Sequence, residues 1–518
     1  MEKKDYIIGI DIGSSNVVMA VGERNIEGEI SILGVEVQPI NDCVVDGDVT
    51  NYIELGKAIK EVKANLEKEL NCSLKSAYIG FSGKSVYCVR YEDYVEINEK
   101  VGCVTETDLR ELNTRIQMAV PGGGDEIVER ILLRYNVDDR QEVKNPIGAY
   151  GRKLSATYLF VMAGKMQINA VNRAMHYAEI QVCGLCVNPT LMPQVLLNEV
   201  EREEGVAVVD IGANLTDISI VRGGKLWYFS SLPIGASSIN NDLYEFLKVP
   251  RADIDILKRK YGSAVAEYVE GDKSVPVKIA GRAKKQILLR NIAEITEERL
   301  KDIARFVLRE IKAAMFLSKV PCGVVLTGGT VHLDNIDKLF ARELQMEVRR
   351  GELLNGLDDE SQERVPAFQY AAVVGLLLYG AKHQVCEAVS FGEVNTPTPT
   401  PTPTLPTSVQ PVEEQPINEI FSGEDNTQPQ GDADVVVDSG ESEALKPVDL
   451  NNPTNPTELQ PIEESNDDHE EESNREDDKH KDAGKSGKNS NGSDKPKGGW
   501  MRRIRVWLDE VFESDDEL

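Results

Sequence analysis

The residues best suited to chemistry sit in two short turns of one design. Tyr6-Ile-Ile-Gly-Ile-Asp-Ile-Gly-Ser-Ser-Asn-Val-Val-Met-Ala-Val21 is an apolar run ending in Asp11, a small polar turn of Gly13, Ser14, Ser15 and Asn16, and a second apolar run. Apolar runs around turn-formers read as a β-hairpin. Glycine lets backbone N–H groups approach a phosphate, and hydroxyls add donors. A carboxylate at a strand end can hold Mg²⁺ through its water shell. Val206-Ala-Val-Val-Asp-Ile-Gly-Ala-Asn-Leu-Thr-Asp-Ile-Ser-Ile-Val221 repeats the layout around Asp210 and Gly212. Two such hairpins predict two related halves facing one nucleotide. Strand-like Gly323–Leu326, followed by Thr327-Gly-Gly-Thr330 and a helix predicted over His332–Leu344, offers free N–H groups at a helix start. It reads as the third wall of the same pocket.

Two other motifs carry no such chemistry. Gly83-Lys84-Ser85 and Gly484-Lys485-Ser486 lack the glycine five residues upstream that a phosphate-binding P-loop needs, because Tyr78 and Lys479 stand there. Cys183-Gly-Leu-Cys186 has no second pair and an apolar setting, so it reads as buried thiols.

The elements that must position the turns alternate between strand and helix. Ile30–Val37 and Ser76–Gly80 read as strands, and Tyr52–Leu70 as an amphipathic helix with Ile53, Leu55, Ile59, Val62 and Leu66 at helical spacing. Residues Val86 to about Met162 read as an insertion. Its predicted parts are a strand over Val86–Ile97, a helix over Glu106–Val120 capped by Thr105, and strands over Ile127–Tyr135 and Ser155–Phe160. The α/β pattern resumes with helix Lys165–Glu179, strand Gln181–Val187 and a helix over Thr190–Glu201. Asn188-Pro189 suits the start of that last helix, Asn as cap and Pro in the first turn. The other role open to Asn188 is to face a γ-phosphate and position water. Past the second hairpin, helix Ser237–Leu247 leads into a basic region read as helical, Ala252 to about Asn291, then helix Glu297–Phe316. Val365–Tyr379 is apolar nearly all round, which marks a buried closing helix.

A chain of 518 residues exceeds one hydrophobic core. Its net charge of −29 argues against nucleic acid as a partner. Eight scattered cysteines suit a reducing cytoplasm, the N-terminus runs straight into a strand with no signal peptide, and no apolar run approaches a membrane span. From Thr396 the character changes. Thr-Pro repeats lead into an acidic stretch, and Val394–Gly499 holds 24 acids against 8 bases, a net of −16. Such composition predicts a disordered tether. It ends in Trp500–Phe512, where Trp500, Met501, Ile504, Trp507, Leu508, Val511 and Phe512 share a helical face and Arg502, Arg503 and Arg505 lie away from it. That pattern is a helix lying in a membrane interface, or one docking in a protein groove.

The paired Asp-Ile-Gly hairpins and the Thr-Gly-Gly turn resemble the phosphate and adenosine motifs of the actin/chaperone/sugar-kinase ATPase superfamily. Phe81-Ser-Gly-Lys-Ser85, Asn145-Pro-Ile-Gly-Ala-Tyr-Gly-Arg-Lys-Leu154, Val324-Val-Leu-Thr-Gly-Gly-Thr330 and Ala371-Ala-Val-Val-Gly-Leu376 carry the likeness to its FtsA branch, the bacterial cell-division actin homologues. The resemblance spans residues 5 to about 382 plus the final helix.

It implies an α/β fold of duplicated ribonuclease-H-like domains around a nucleotide cleft, with a small α+β insert. The implied subdomains are 1A (1–85 and 163–203, completed by helix 365–383), 1C (86–162), 2A (204–236 and 306–364) and 2B (237–305). A disordered linker over 394–499 and a membrane helix over 500–513 follow. It also implies ATP with Mg²⁺ as ligands, self-assembly into filaments, an anionic membrane surface, and other division proteins on the insert. The C-terminal peptide of tubulin-like FtsZ would dock on 2B. The implied place is the cytoplasmic face of the inner membrane at the division site. By motif position Asp11 and Asp210 would serve Mg²⁺ through water. Gly13, Ser14, Ser15, Asn16, Gly212, Asn214 and Thr216 would cradle phosphates. Gly328, Gly329 and Thr330 would lie against the nucleoside, with Glu297 and Arg299 flanking the adenosine. Related ATPases often place Glu or Gln where Asn188 stands, and a neutral amide is a poor general base, so turnover should be slow at most. The alternatives are a pilus-assembly type of actin-like scaffold and a metabolite kinase of the same superfamily.

Overall fold

The computed structural model describes residues 6–26, 28–138, 140–278, 284–315, 319–365, 367–383 and 389–391. The Thr-Pro repeats, the acidic linker and the Trp500–Phe512 helix lie outside the described residues, as does much of the basic stretch Ala280–Gln286.

Two five-stranded sheets repeat one plan. In the first, Tyr6–Ile12, Asn16–Arg24 and Ile30–Pro39 form an antiparallel meander, and Ser76–Phe81 and Gln181–Val187 add in parallel on the other side of Tyr6–Ile12. In the second, Val206–Ile211, Thr216–Arg222 and Lys225–Leu232 form the meander, and Val324–Thr327 and Val348–Arg350 add in parallel beside Val206–Ile211. Both sheets have the same strand order and directions. Strand Lys225–Leu232 is absent from the sequence reading, where its mixed Trp-Tyr-Phe-Ser-Ser composition gives no clean alternation.

The strands at the two hairpins are apolar on both faces because both faces are covered. Val206 and Val208 join one core, Ala207, Val209 and Ile211 the other. Helix Tyr52–Leu70 covers the first sheet with Leu55, Ile59, Val62 and Leu66 fully buried, and Asn51 caps it by accepting from the amides of Ile53 and Glu54. The closing helix, Ala367–Lys382, packs on the first sheet and crosses helix Asn188–Leu196. Gly375 makes that crossing close: a Cβ there would fall 2.8 Å from Leu191 Cβ.

The insert is a four-stranded antiparallel sheet in the order Arg140–Val143, Asp125–Val137, Lys153–Gly164, Val86–Glu96, with helix Glu106–Met118 on one face. Its own core holds Val95, Leu112, Ile116, Val137, Leu154, Ala156, Phe160 and Met162. Thr105 caps the helix in a reciprocal capping box with Asp108.

Three expected helices are revised. Thr190–Glu201 is two helices, Asn188–Leu196 and Glu199–Glu204. Leu197 is extended, and Asn198 starts a new capping box with Glu201. The region Ala252–Asn291 is helical over Arg251–Tyr261 but then forms a ribbon of Ser274–Val277 paired with Lys285–Leu288, where Pro276 and β-branched residues oppose a helix. Beyond Thr327 a 3₁₀ turn, Gly329–His332, precedes helix Ile336–Leu344, so no α-helix starts at the glycine pair.

Leu376 is fully buried where the closing helix meets the first sheet. Leu376→Ala is expected to destabilise the body by about 2–5 kcal/mol in urea unfolding. A change under about 1 kcal/mol would contradict the closing role of this helix.

Candidate functional site

Both hairpin turns open into one cavity of about 1120 Å³, large enough for a nucleoside triphosphate. From the first half Asp11, Gly13, Ser14, Ser15, Asn16 and Asn188 line it. From the second half come Asp210, Gly212, Gly328, Gly329 and Thr330. These residues are far apart in sequence, and the repeated strand order brings them together.

The turns leave donors free. Each closes with one bond, Gly13 N–H to the Asn16 carbonyl (3.0 Å) and Gly212 N–H to the Leu215 carbonyl (2.9 Å). Among the described residues, the amides of Ser14, Ser15, Ala213 and Asn214 donate to no protein acceptor. Successive free N–H groups in a turn form an anion-binding concavity. Gly328 has φ +92°, and a Cβ there would land on the Asp210 carboxylate, so only glycine fits between this turn and the acid. At Gly329 a Cβ would meet nothing within 4 Å.

Three carboxylates face this space. Burial drives Asp11 up to about 6, opposed by the Asn188 amide and reinforced by Asp217. Burial, then the charges of Asp217 and Asp11, holds Asp210 well above the usual carboxylate range. Asp217, 4% exposed, is also raised by burial. Among the described residues, no three His, Cys, Asp or Glu side chains gather tightly enough to ligate a metal directly. Acids beside free turn amides could hold a hydrated cation next to a polyanion.

Asn188 is not the helix cap expected of it. It is the first helical residue, and its Nδ2 donates to Asp11 Oδ1 at 2.8 Å. Its Oδ1 is buried with no protein donor, an acceptor left for a water or ligand.

Four expected residues do not line the cavity. Asn214 lies off its wall. The Thr216 hydroxyl donates to the Ile234 carbonyl (2.8 Å) and the residue is fully buried, which makes it a brace. Glu297 accepts from the Ala266 amide and Arg342, and Arg299 grips Asp242 through two bonds. Both are committed to protein partners.

Residues absent from the sequence reading take their place. Asp217, Ser237, Asn240, Asp255, Lys258 and Arg259 line the second-half wall. Lys258 is 7% exposed and pairs with Asp255 at 3.1 Å. Its signal was available: it falls with Ile254 and Leu257 on the buried stripe of helix Arg251–Tyr261, where a lysine is out of place.

In the unfolded chain Asp11 loses its proton near pH 4, whereas in the folded chain it keeps it to about 6. The folded state binds the extra proton between those values. Ligand-free stability from this group is therefore highest below pH 4, falls as pH rises to 6, and stays reduced above. Asp11→Asn is expected to remove that fall and to raise ligand-free stability at pH 7 by at most about 3 kcal/mol. Urea midpoints at pH 4 and pH 7 check it, and equal shifts at both would contradict the assignment.

A model described as "Cell division protein FtsA" matches residues 207–375, and one described as "SHS2 domain inserted in FTSA" matches residues 83–162. The cell division protein FtsA of Pseudomonas aeruginosa is 27% identical over 388 residues, covering 73% of this chain and 90% of that protein. That of Escherichia coli K12 is 28% identical over 393 residues, with coverage of 73% and 90%. Among solved structures, a chain of a PilM–PilN type IV pilus biogenesis complex superposes with a TM-score of 0.52 at 15% identity, over 72% of this chain and 98% of that one. That likeness is one of fold, and it is actin-like.

Proposed function

The chain belongs to the FtsA family of actin-like cell-division proteins, and from that premise we propose that it is a nucleotide-switched filament former that ties the division machinery to the membrane. The ligand is Mg-ATP, held in the cavity between the two hairpins. The observation that carries this reading is the convergence of two related Asp-Gly turns on one cavity, with free amides for phosphate and acids for a hydrated cation.

On this reading the turn amides and the Ser14 and Ser15 hydroxyls hold phosphate oxygens. Asp11 and Asp210 hold the water shell of Mg²⁺, whose charge offsets their mutual repulsion. Lys258, Arg259 and Asn240, which line the same cavity as Gly328–Thr330, would contact the nucleoside. Asn188 keeps Asp11 oriented and presents Oδ1 toward an attacking water without taking its proton, so hydrolysis is slow and binding is the signal.

Partners follow from the family. The FtsZ C-terminal peptide would dock on the region 237–305, other division proteins on the insert, and a further copy of the chain in the filament. The Trp500–Phe512 helix would lie in the anionic inner leaflet, with Trp, Ile, Leu and Phe below and Arg502, Arg503 and Arg505 beside the headgroups. The match of residues 207–375 to the FtsA family model and the likeness to cell-division FtsA proteins favour this over a pilus scaffold.

Asp210→Ala is expected to abolish Mg-ATP binding by calorimetry; an unchanged affinity would sink the pocket assignment. Deleting Trp500–Leu518 is expected to leave ATP binding intact and to abolish co-sedimentation with anionic liposomes. Retained sedimentation would place the membrane contact elsewhere.

A further inference from the structure

A second charged site lies on the insert, away from the cavity. On its sheet Arg90 pairs across with Leu159, and Arg134 with Thr157. Leu159 and Thr157 are two apart on one strand, so both arginines stand on one face. That face meets strand Lys225–Leu232: Cys88 Sγ donates to the Phe229 carbonyl at 3.3 Å, and the Arg90 guanidinium lies 5.3 Å from the Trp227 ring centre. None of Arg90, Arg134 and Trp227 lines the cavity.

Arg90 presents an unused fork. Its Nε and Nη2 are closed to solvent and have no acceptor among the described residues. That edge is the one this protein uses elsewhere to grip carboxylates. Arg299 takes Asp242 through Nε (2.6 Å) and Nη2 (3.0 Å), and Arg349 takes Glu201 through Nε (2.7 Å) and Nη2 (2.7 Å). Neither Arg90 nor Arg134 forms an ion pair within the described residues; of the two acids that the register puts on the same face, Glu92 and Glu129, neither pairs with them, and buried Glu129 turns to Thr190 and His383. Arg134 instead donates weakly to the Thr157 hydroxyl at 3.5 Å. Burial and the neighbouring Arg134 charge both disfavour the Arg90 cation. In a chain with 87 acids against 58 bases, two adjacent guanidiniums that pair with no acid are a standing demand for an anion.

We propose that Arg90 and Arg134 form an oxyanion site at the seam between the insert and strand Lys225–Leu232, taking a phosphate dianion bidentately on the Nε/Nη2 edge of Arg90. Two neighbouring guanidiniums that pair with no acid suit a doubly charged phosphate better than a single carboxylate. Arg90 as a whole is only half-buried. A rotation that keeps its stack on Trp227 therefore turns the closed edge toward solvent.

Trp227 reports the event directly. The chain has three tryptophans, so the full-length protein carrying Trp500→Phe and Trp507→Phe has one indole. Inorganic phosphate, titrated at constant ionic strength, is expected to change its fluorescence saturably, with acetate at least tenfold weaker. Arg90→Lys keeps the charge without the fork and is expected to weaken phosphate at least tenfold. Arg134→Gln should do the same, and it keeps the test open if Arg90→Lys does not fold by circular dichroism. A non-saturating response, equal responses to acetate and phosphate, or full affinity in either folded variant overturns the site. Phosphate bound only in the nucleotide cavity would leave both variants like the parent, so the two sites are separable.

Discussion

Asp210 and Asp217 stand directly opposite one another across the second hairpin. Like charges in that position oppose the pairing they sit on, and here a third acid, Asp11, reaches the same space from the other half. In the first hairpin the residue facing Asp11 is Val18, so the repetition of plan does not extend to the acid pair. A fold stabilised only by its cores would gain by replacing these acids. Val209, Ile211 and Leu326 beside them give the sheet ample apolar contact. The acids are affordable because the sheets are deeply covered, and their repulsion is the feature that a bound cation would relieve. The rest of the body supports that cleft.

The duplication explains how one cleft is built from distant residues. Each half runs meander, helix, strand, helix, strand, with additions placed at different points. The first half takes the insert after strand Ser76–Phe81, whereas the second takes its helices and ribbon before Val324–Thr327. Neither addition breaks a sheet. The insert keeps its own core, and its strands Val86–Glu96 and Asp125–Val137 rest on Lys225–Leu232 through Cys88 and through Lys225 donating to the Leu133 carbonyl. The loops that carry chemistry remain at the same ends of equivalent strands in both halves.

This sets what could be read from sequence. The hairpins were legible because everything that defines them is local: apolar runs, an acid at the strand end, glycine in the turn. Helix Tyr52–Leu70 was legible in its bounds because Leu55, Ile59, Val62 and Leu66 keep its period, although Ile53, counted on that stripe, is exposed. Asp217 was passed over because it looks like the polar member of an alternating strand, and only the approach of the other half makes it a cavity wall. Lys258 and Asn240 reach the site through the packing of helices Ala236–Leu247 and Arg251–Tyr261, which no spacing encodes. Glu297 and Arg299 were misplaced for the converse reason. Charged residues on a helix can satisfy one another, and Asp242, Ala266 and Arg342 do so here. Asn188 had the right neighbours for a cap, but the helix begins one residue early because Val187 supplies the extended backbone and Asp11 supplies a stronger partner.

That one-residue shift has a mechanical consequence. Helix Asn188–Leu196 starts with a side chain bonded to the first hairpin's acid, and its next residue, Pro189, accepts a bond from Ser219 of the second hairpin at 2.8 Å. One rigid element therefore touches both halves within its first turn, and it is crossed at Leu191 by the closing helix at its closest point, Gly375. Interiors packed this tightly shift as bodies rather than deform. A change in the charge borne by Asp11 would, on the proposed reading, alter its bond to Asn188, and the same helix would carry that change to Ser219 and the closing helix. On the proposed reading the bound nucleotide acts through this path. It needs differential contact with two arrangements of the halves and no fast chemistry. An asparagine at this position suits that reading, because its amide bonds Asp11 while its neutral side chain leaves water unactivated.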